Sequence, residues 1–97
     1  MALSGRMDRP AAMDFEKTFA EGLKNGERCF VVDMQDLEYI SSAGLRSLLS
    51  AKQQLQNIHG EVRLCNIGGL VKEVFVISGF ESLFPEYRSL EDAVKFS

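Results

Sequence analysis

Two hydrophobic periods alternate along this chain. From Pro10, the residues Ala12, Phe15, Phe19 and Leu23 recur every three or four positions and stop at Asn25-Gly26. That spacing predicts a helix with an early proline and a terminating glycine, entered through Asp8 or Arg9. Cys29-Phe30-Val31-Val32-Asp33-Met34 is an almost unbroken apolar run, the pattern of a strand buried on both faces. Residues 35–38 read as a polar bend after it. Helical spacing returns with Leu45, Leu48, Leu49, Lys52 and Leu55, in which Lys52 is the one polar member. A second helix is therefore expected from about residue 42 to 57, leaving at His59-Gly60.

Glu61-Val62-Arg63-Leu64-Cys65 alternates polar and apolar residues, as a strand with one face on the core does. Gly68-Gly69 turns the chain. Leu70, Val71, Val74, Phe75 and Ser78 give a third helical stripe closed by Gly79, and Phe80 is placed to pack back on Phe75. Residues 83–87 read as a short strand. Ser89 and Asp92 fit the N-cap and third-position acid of a last helix through Phe96. At the start, residues 1–4 read as the end of a strand and 5–8 as the turn after it. Strands separated by helices predict an α/β domain, a small, mostly parallel sheet flanked by helices. In such sheets sites gather beyond the carboxyl ends of strands, where residues 33–44 are expected to lie.

The length of 97 residues suits one domain, 1–97, burying roughly 60–65% of the surface its unfolded chain exposes. Apolar content of 45% and charged content of 26% exclude a disordered or collagen-like class. A net charge of −3 with scattered Lys and Arg argues against nucleic acid as a partner. No apolar stretch approaches the about 20 residues of a membrane span, and no signal-peptide pattern is present, so a cytoplasmic protein without a membrane partner is expected. Cys29 and Cys65 fall in predicted strands, without the close spacing of a metal or redox pair, and read as buried free thiols.

The candidate chemistry lies in Tyr39-Ile40-Ser41-Ser42-Ala43-Gly44-Leu45-Arg46, where two hydroxyls stand between an apolar strand and an amphipathic helix. The first turn of a helix carries unpaired N–H groups and the positive end of the macrodipole, so a phosphate there is locally welcome. Serine is also a favoured N-cap anywhere, and the residues alone leave capping and phosphorylation both open. Gly44 admits two readings as well, close approach of a partner or close packing of helix on strand. Arg46 is expected on the exposed side of the helix.

Enzymatic readings fare worse. Asp33 at a strand end suggests the acceptor of a receiver domain, but the paired acids and late lysine of that chemistry are missing. Ser-Ser-Ala-Gly is not a Gly-x-Ser-x-Gly elbow, and a rise of about 1.5 Å per residue puts His59, the only histidine, roughly 25 Å from Ser42. No metal-ligand cluster is legible, and neither cofactor nor catalysis is expected.

The chain resembles the STAS domains, the anti-sigma-factor antagonists of bacteria, along nearly its whole length. The landmarks are Leu3-Ser4-Gly5-Arg6-Met7-Asp8 in the position of the family's L-x-G-x-x-D turn, Val31-Val32-Asp33 before the site, residues 40–45 as the site, and Ile77-Ser78-Gly79-Phe80 with Leu83-Phe84 near the end. The resemblance implies that Ser42, two positions before the glycine, is a phosphate acceptor. It implies as partners an anti-sigma factor that is a serine kinase and a serine phosphatase, with the unphosphorylated form holding the kinase and freeing a sigma factor.

Ser41, Ala43, Gly44, Arg46, Asp8 and Asp33 are then the residues expected at the partner contact, Asp33 through backbone amides near the Ser42 turn. The family's frequent Asp before the acceptor is Ser41 here, and Ala43 stands where Ser or Thr is usual. Family members also carry a further strand before the L-x-G turn, which this chain begins too late to supply. The exposed sheet edge so expected invites pairing with another chain, and homodimerisation through it is one expectation. Within the same family a non-switching scaffold, in a stress-signalling, transporter or lipid-transport complex, is the alternative function.

Overall fold

In the computed structural model, which describes residues 1–95, four strands form one sheet in the order β1-β2-β3-β4, each neighbouring pair parallel. The strands are β1 (Ala2–Met7), β2 (Cys29–Ile40), β3 (Glu61–Cys65) and β4 (Glu86–Tyr87). The helices α1 (Arg9–Lys24), α2 (Ser42–Gln56) and α3 (Gly69–Ser78) connect successive strands, and α4 (Leu90–Lys95) follows β4. The expected end of α4 at Phe96 lies outside the described residues.

Local chemistry sets the ends of these elements. Asp8 caps α1, its carboxylate accepting from the Ala11 amide at 3.2 Å, with Pro10 in the first turn. Ser89 caps α4 through the Asp92 amide at 3.1 Å. Gly79, at φ +80°, ends α3 in the left-handed conformation that glycine adopts without strain, and Phe80 packs edge-on against Phe75 with ring centroids 6.2 Å apart.

Phe15 and Phe19 of α1, Leu48, Ala51 and Leu55 of α2, and Val71 and Phe75 of α3 share one core with Met7, Phe30, Val32, Met34, Val62 and Leu64 of the sheet. The other face carries α4, which packs on β2, β3 and β4. Arg63, expected to be solvated, is buried there, ion-paired to Glu61 and donating to the Ala93 carbonyl at 2.9 Å. A charge under a helix stays satisfied only with such partners. Lys72 ties α3 to the segment after it, bridging Glu86 at 2.8 Å and Glu81 at 2.9 Å, and these carboxylates raise its pKa.

Other expectations change as well. Residues 5–7 are not a turn: they pair with β2 as the second half of β1, and only Asp8 leaves the strand, as the cap of α1. Residues 35–38 do not bend away: β2 runs on to Ile40, and its pairing with β1 slips twice, between Ala2 and Ser4 and between Gly5 and Arg6. Each slip inserts an extra residue in β2, so Met34, Leu37 and Ile40 face the core at intervals of three while the polar residues between stay outside. The predicted strand 83–87 shrinks to Glu86–Tyr87, because residues Phe80–Leu83 form a 3₁₀ turn.

Cys29 is exposed rather than buried; only Cys65 is enclosed, and burial pushes its thiol pKa up. A thiol-reactive aromatic disulfide is therefore expected to titrate one cysteine in the native protein and two after denaturation. Two fast-reacting thiols in the native state would contradict this placement.

Candidate functional site

The β2–α2 junction forms where the apolar strand runs out at Ile40 and Ser41 takes up extended backbone. The Ser41 hydroxyl accepts from the Gly44 amide at 3.1 Å and donates to the Met7 carbonyl at 2.9 Å. The Ser41 amide donates to that same carbonyl at 2.9 Å. One serine thus caps α2 and stitches its start to the end of β1, which places Asp8, the next residue of the chain, beside the junction. Its hydroxyl is committed on both sides.

Ser42 is the first helical residue, and it is exposed. Its hydroxyl has no hydrogen-bond partner among the described residues. No acid stands in the first turn of α2, and the macrodipole leaves that end positive. Of the two hydroxyls, geometry reserves Ser41 for structure and leaves Ser42 open to reagents.

Gly44 faces inward. A Cβ there would come within 2.8 Å of Ile40 Cγ1 and 3.0 Å of both Met7 Cγ and the Met7 carbonyl oxygen. Of its two readings the structure selects close packing of helix on strand, and Gly44 presents no side to a partner. Ala43 is half-buried, while Arg46, Asp8 and Arg9 are exposed around the junction.

Asp33 does not belong to this group. Its carboxylate accepts from the Gln35 amide and from Asn66 Nδ2, both at 3.0 Å, and not from amides of the Ser42 turn. Because β2 continues to Ile40, seven further residues of extended chain, at about 3.3 Å each, carry the strand roughly 20 Å past Asp33. Its partner Asn66 holds a left-handed φ of 59°, which an asparagine tolerates and which starts the turn into α3.

Two residues near the junction had no sequence signal. Ser47 is buried and donates to Glu16 Oε1 at 2.7 Å, joining α2 to α1. Arg9 reaches the site only because the two helices pack together. His59 stands past the far end of α2, away from Ser42. Among the described residues no three His, Cys, Asp or Glu gather as metal ligands, and no helix is long and apolar enough to cross a membrane.

Against known proteins, residues 1–93 match the STAS domain family. The chain belongs to the STAS domain family. This STAS domain is 44% identical over 91 residues to a Bordetella bronchiseptica protein named "Putative anti-sigma factor antagonist BtrV", an alignment covering 94% of the chain and 78% of that protein. Its backbone is similar to the crystal structure of an anti-sigma factor antagonist from Mycobacterium paratuberculosis, with a TM-score of 0.83 at 23% identity, covering 97% of this chain and 80% of that one.

It is similar also to the anti-sigma factor antagonist SpoIIAA in its unphosphorylated form, with a TM-score of 0.75 at 17% identity, covering 96% and 81%. The phosphorylated form of SpoIIAA, from Bacillus, gives 0.76 at 20% identity, covering 97% and 85%. At these identities the structural likeness establishes the fold, a parallel sheet with flanking helices.

Proposed function

We propose that this STAS domain is an anti-sigma factor antagonist switched by phosphorylation of Ser42. The observation that carries the reading is the division of labour between neighbouring hydroxyls: Ser41 is used up as a cap, and Ser42 is displayed, unpartnered, at the positive end of α2. The unmodified form binds an anti-sigma factor that is also a serine kinase, releasing a sigma factor. The kinase moves the γ-phosphoryl group of ATP to Ser42 Oγ, breaking the bond to ADP while the hydroxyl proton leaves. A serine phosphatase returns the group to water. Kinase, phosphatase and antagonist share the cytoplasm in this scheme, and the antagonist itself catalyses nothing.

BtrV, similar over nearly the whole chain, bears an antagonist's name, and SpoIIAA exists in both phosphorylation states; these likenesses support the reading. Incubation with the anti-sigma kinase and ATP, followed by peptide mass spectrometry, tests it. Phosphate is expected on Ser42 alone and on no residue of Ser42→Ala. An unmodified wild type, or equal partner binding by every form, would favour the non-switching scaffold.

The edge of β1 is a second contact in this proposal. Among the described residues β1 pairs with β2 alone, and unpaired strand edges accept further strands. Homodimerisation through that edge is expected to appear as a mass rising with concentration in sedimentation equilibrium; a constant monomer mass would remove it.

A further inference from the structure

A groove of about 390 Å³ lies between the N-terminal halves of α1 and α2, with Ala43, the residue after Ser42, in its lining. Ala12, Met13, Ala43 and Ser47 line it; Ala12 and Ser47 are buried, while Met13 is 61% exposed although it carries a large apolar side chain. Arg9 and Arg46 line it too, one from each helix. Both guanidiniums are exposed and neither makes an ion pair or hydrogen bond among the described residues. Elsewhere Arg63 is engaged with Glu61, Lys72 with Glu81 and Glu86, and Arg6 over the Tyr39 ring at 4.2 Å, whereas Arg9 and Arg46 share one groove. The one acid in the lining, Glu16, accepts from the Ser47 hydroxyl through Oε1 and keeps its negative charge. Asp8 lies nearby with one oxygen bound to the Ala11 amide.

Two arginines against the single carboxylate of Glu16 leave the lining with a small positive excess on a chain that carries −3. Arginine presents a planar fork that matches a carboxylate bidentately, and it loses less freedom per hydrogen bond than lysine does. Methionine adapts its shape to what packs on it, and both residue types are enriched at protein interfaces. Two unpaired guanidiniums flanking an exposed methionine therefore fit an apolar surface edged by acids.

We propose that this groove seats a carboxylate-edged apolar segment of the protein partner, with Arg9 and Arg46 gripping its acids. The inference rests on the switch reading for what happens next. Ser42 and Arg46 are four residues apart on α2 and share a face. A phosphate on Ser42 takes Arg46 for itself and faces the partner's acids with like charge, so the same groove that confers affinity also senses the modification.

The test uses a defined probe in place of the natural partner. The ¹⁵N-labelled protein is titrated with an 18-residue helical peptide bearing leucines on one face and glutamates along its edges, and with a control in which lysines replace the glutamates. The acidic peptide is expected to shift the amides of Arg9, Met13, Ala43 and Arg46, and to bind roughly tenfold more weakly to the Arg9→Glu/Arg46→Glu variant. The Arg9→Lys/Arg46→Lys variant, which keeps charge but loses the fork, is expected to fall between.

A footprint elsewhere, equal binding of the two peptides, or indifference to both double variants overturns the groove. Undisturbed spectra of the free variants guard against misfolding. The switch is read separately: if the groove responds to the peptide while the anti-sigma kinase binds wild type and Ser42→Asp equally, the groove stands and the switch fails. If Ser42→Asp loses the kinase but the peptide leaves no footprint on α1 and α2, the switch stands and the groove fails.

Discussion

Phosphorylated at Ser42, the protein is expected to bind its anti-sigma factor about a thousandfold more weakly than the unmodified form while melting no lower. The modification adds about −1.5 to −2 charges at neutral pH. Against an acidic group on the partner about 4 Å away, a single unit charge already costs about 4 kcal/mol at an effective dielectric of 20. That corresponds to roughly three powers of ten in affinity.

The fold meets the same charge differently. At the exposed first residue of α2, with no acid in the turn, a phosphate favours the helix by roughly 0.3–1 kcal/mol. Titration calorimetry of both forms, with a thermal melt of each, separates the two effects. The affinity gap should narrow as salt rises, because screening at about 0.15 M already acts over roughly 8 Å. Equal affinities, or a phosphorylated form that melts well below the unmodified one, would show that the charge acts on the scaffold instead.

Replacing Gly44 by alanine is expected to destabilise the protein by about 1–3 kcal/mol, the usual cost of forcing extra volume into a packed site. For a chain of this size each 1 kcal/mol lowers Tm by about 4–8 °C. One added methyl would press on Ile40 and on the Met7 carbonyl oxygen. That oxygen accepts both the amide and the hydroxyl of Ser41, so moving it loosens the cap that holds α2 on β1. The effect on the partner should be indirect: once folded at low temperature, Gly44→Ala retains binding. Unchanged stability combined with lost binding would reverse the assignment and make the glycine a point of partner approach.

Much of the fold was readable because neighbours in sequence decide it. Asp8, Ser41 and Ser89 cap their helices through amides three residues on, and Gly79 with Phe80 closes α3 as its spacing predicts. These are local interactions, complete within one turn of chain. The misread segment 35–38 is different in kind. A mostly polar stretch interrupted only by Leu37 looks like a bend, but β1 supplies a pairing edge, and two extra residues in β2 let strand and core continue together. The alternation in β3 likewise promised a solvated face that α4 covers, which turned Arg63 inward.

The site shows the same division. That a serine caps α2 and that Ser42 opens the helix was legible from residue types and spacing. That Asp33 stands apart from the junction was not, since its distance depends on how far β2 extends before turning. Nor was the role of Arg9, which becomes a neighbour of Arg46 only when α1 and α2 pack side by side.

The amino-acid order alone, then, determined the helices, their caps, the parallel α/β class and the two candidate hydroxyls, because each depends on side chains within a few positions of one another. Only the tertiary structure decided which hydroxyl is free, why Gly44 has no side chain and where two unpaired arginines meet. Those outcomes turn on the Met7 carbonyl and on the contact of α1 with α2, which bring together residues about 35 positions apart, and no periodicity along the chain encodes such a distance.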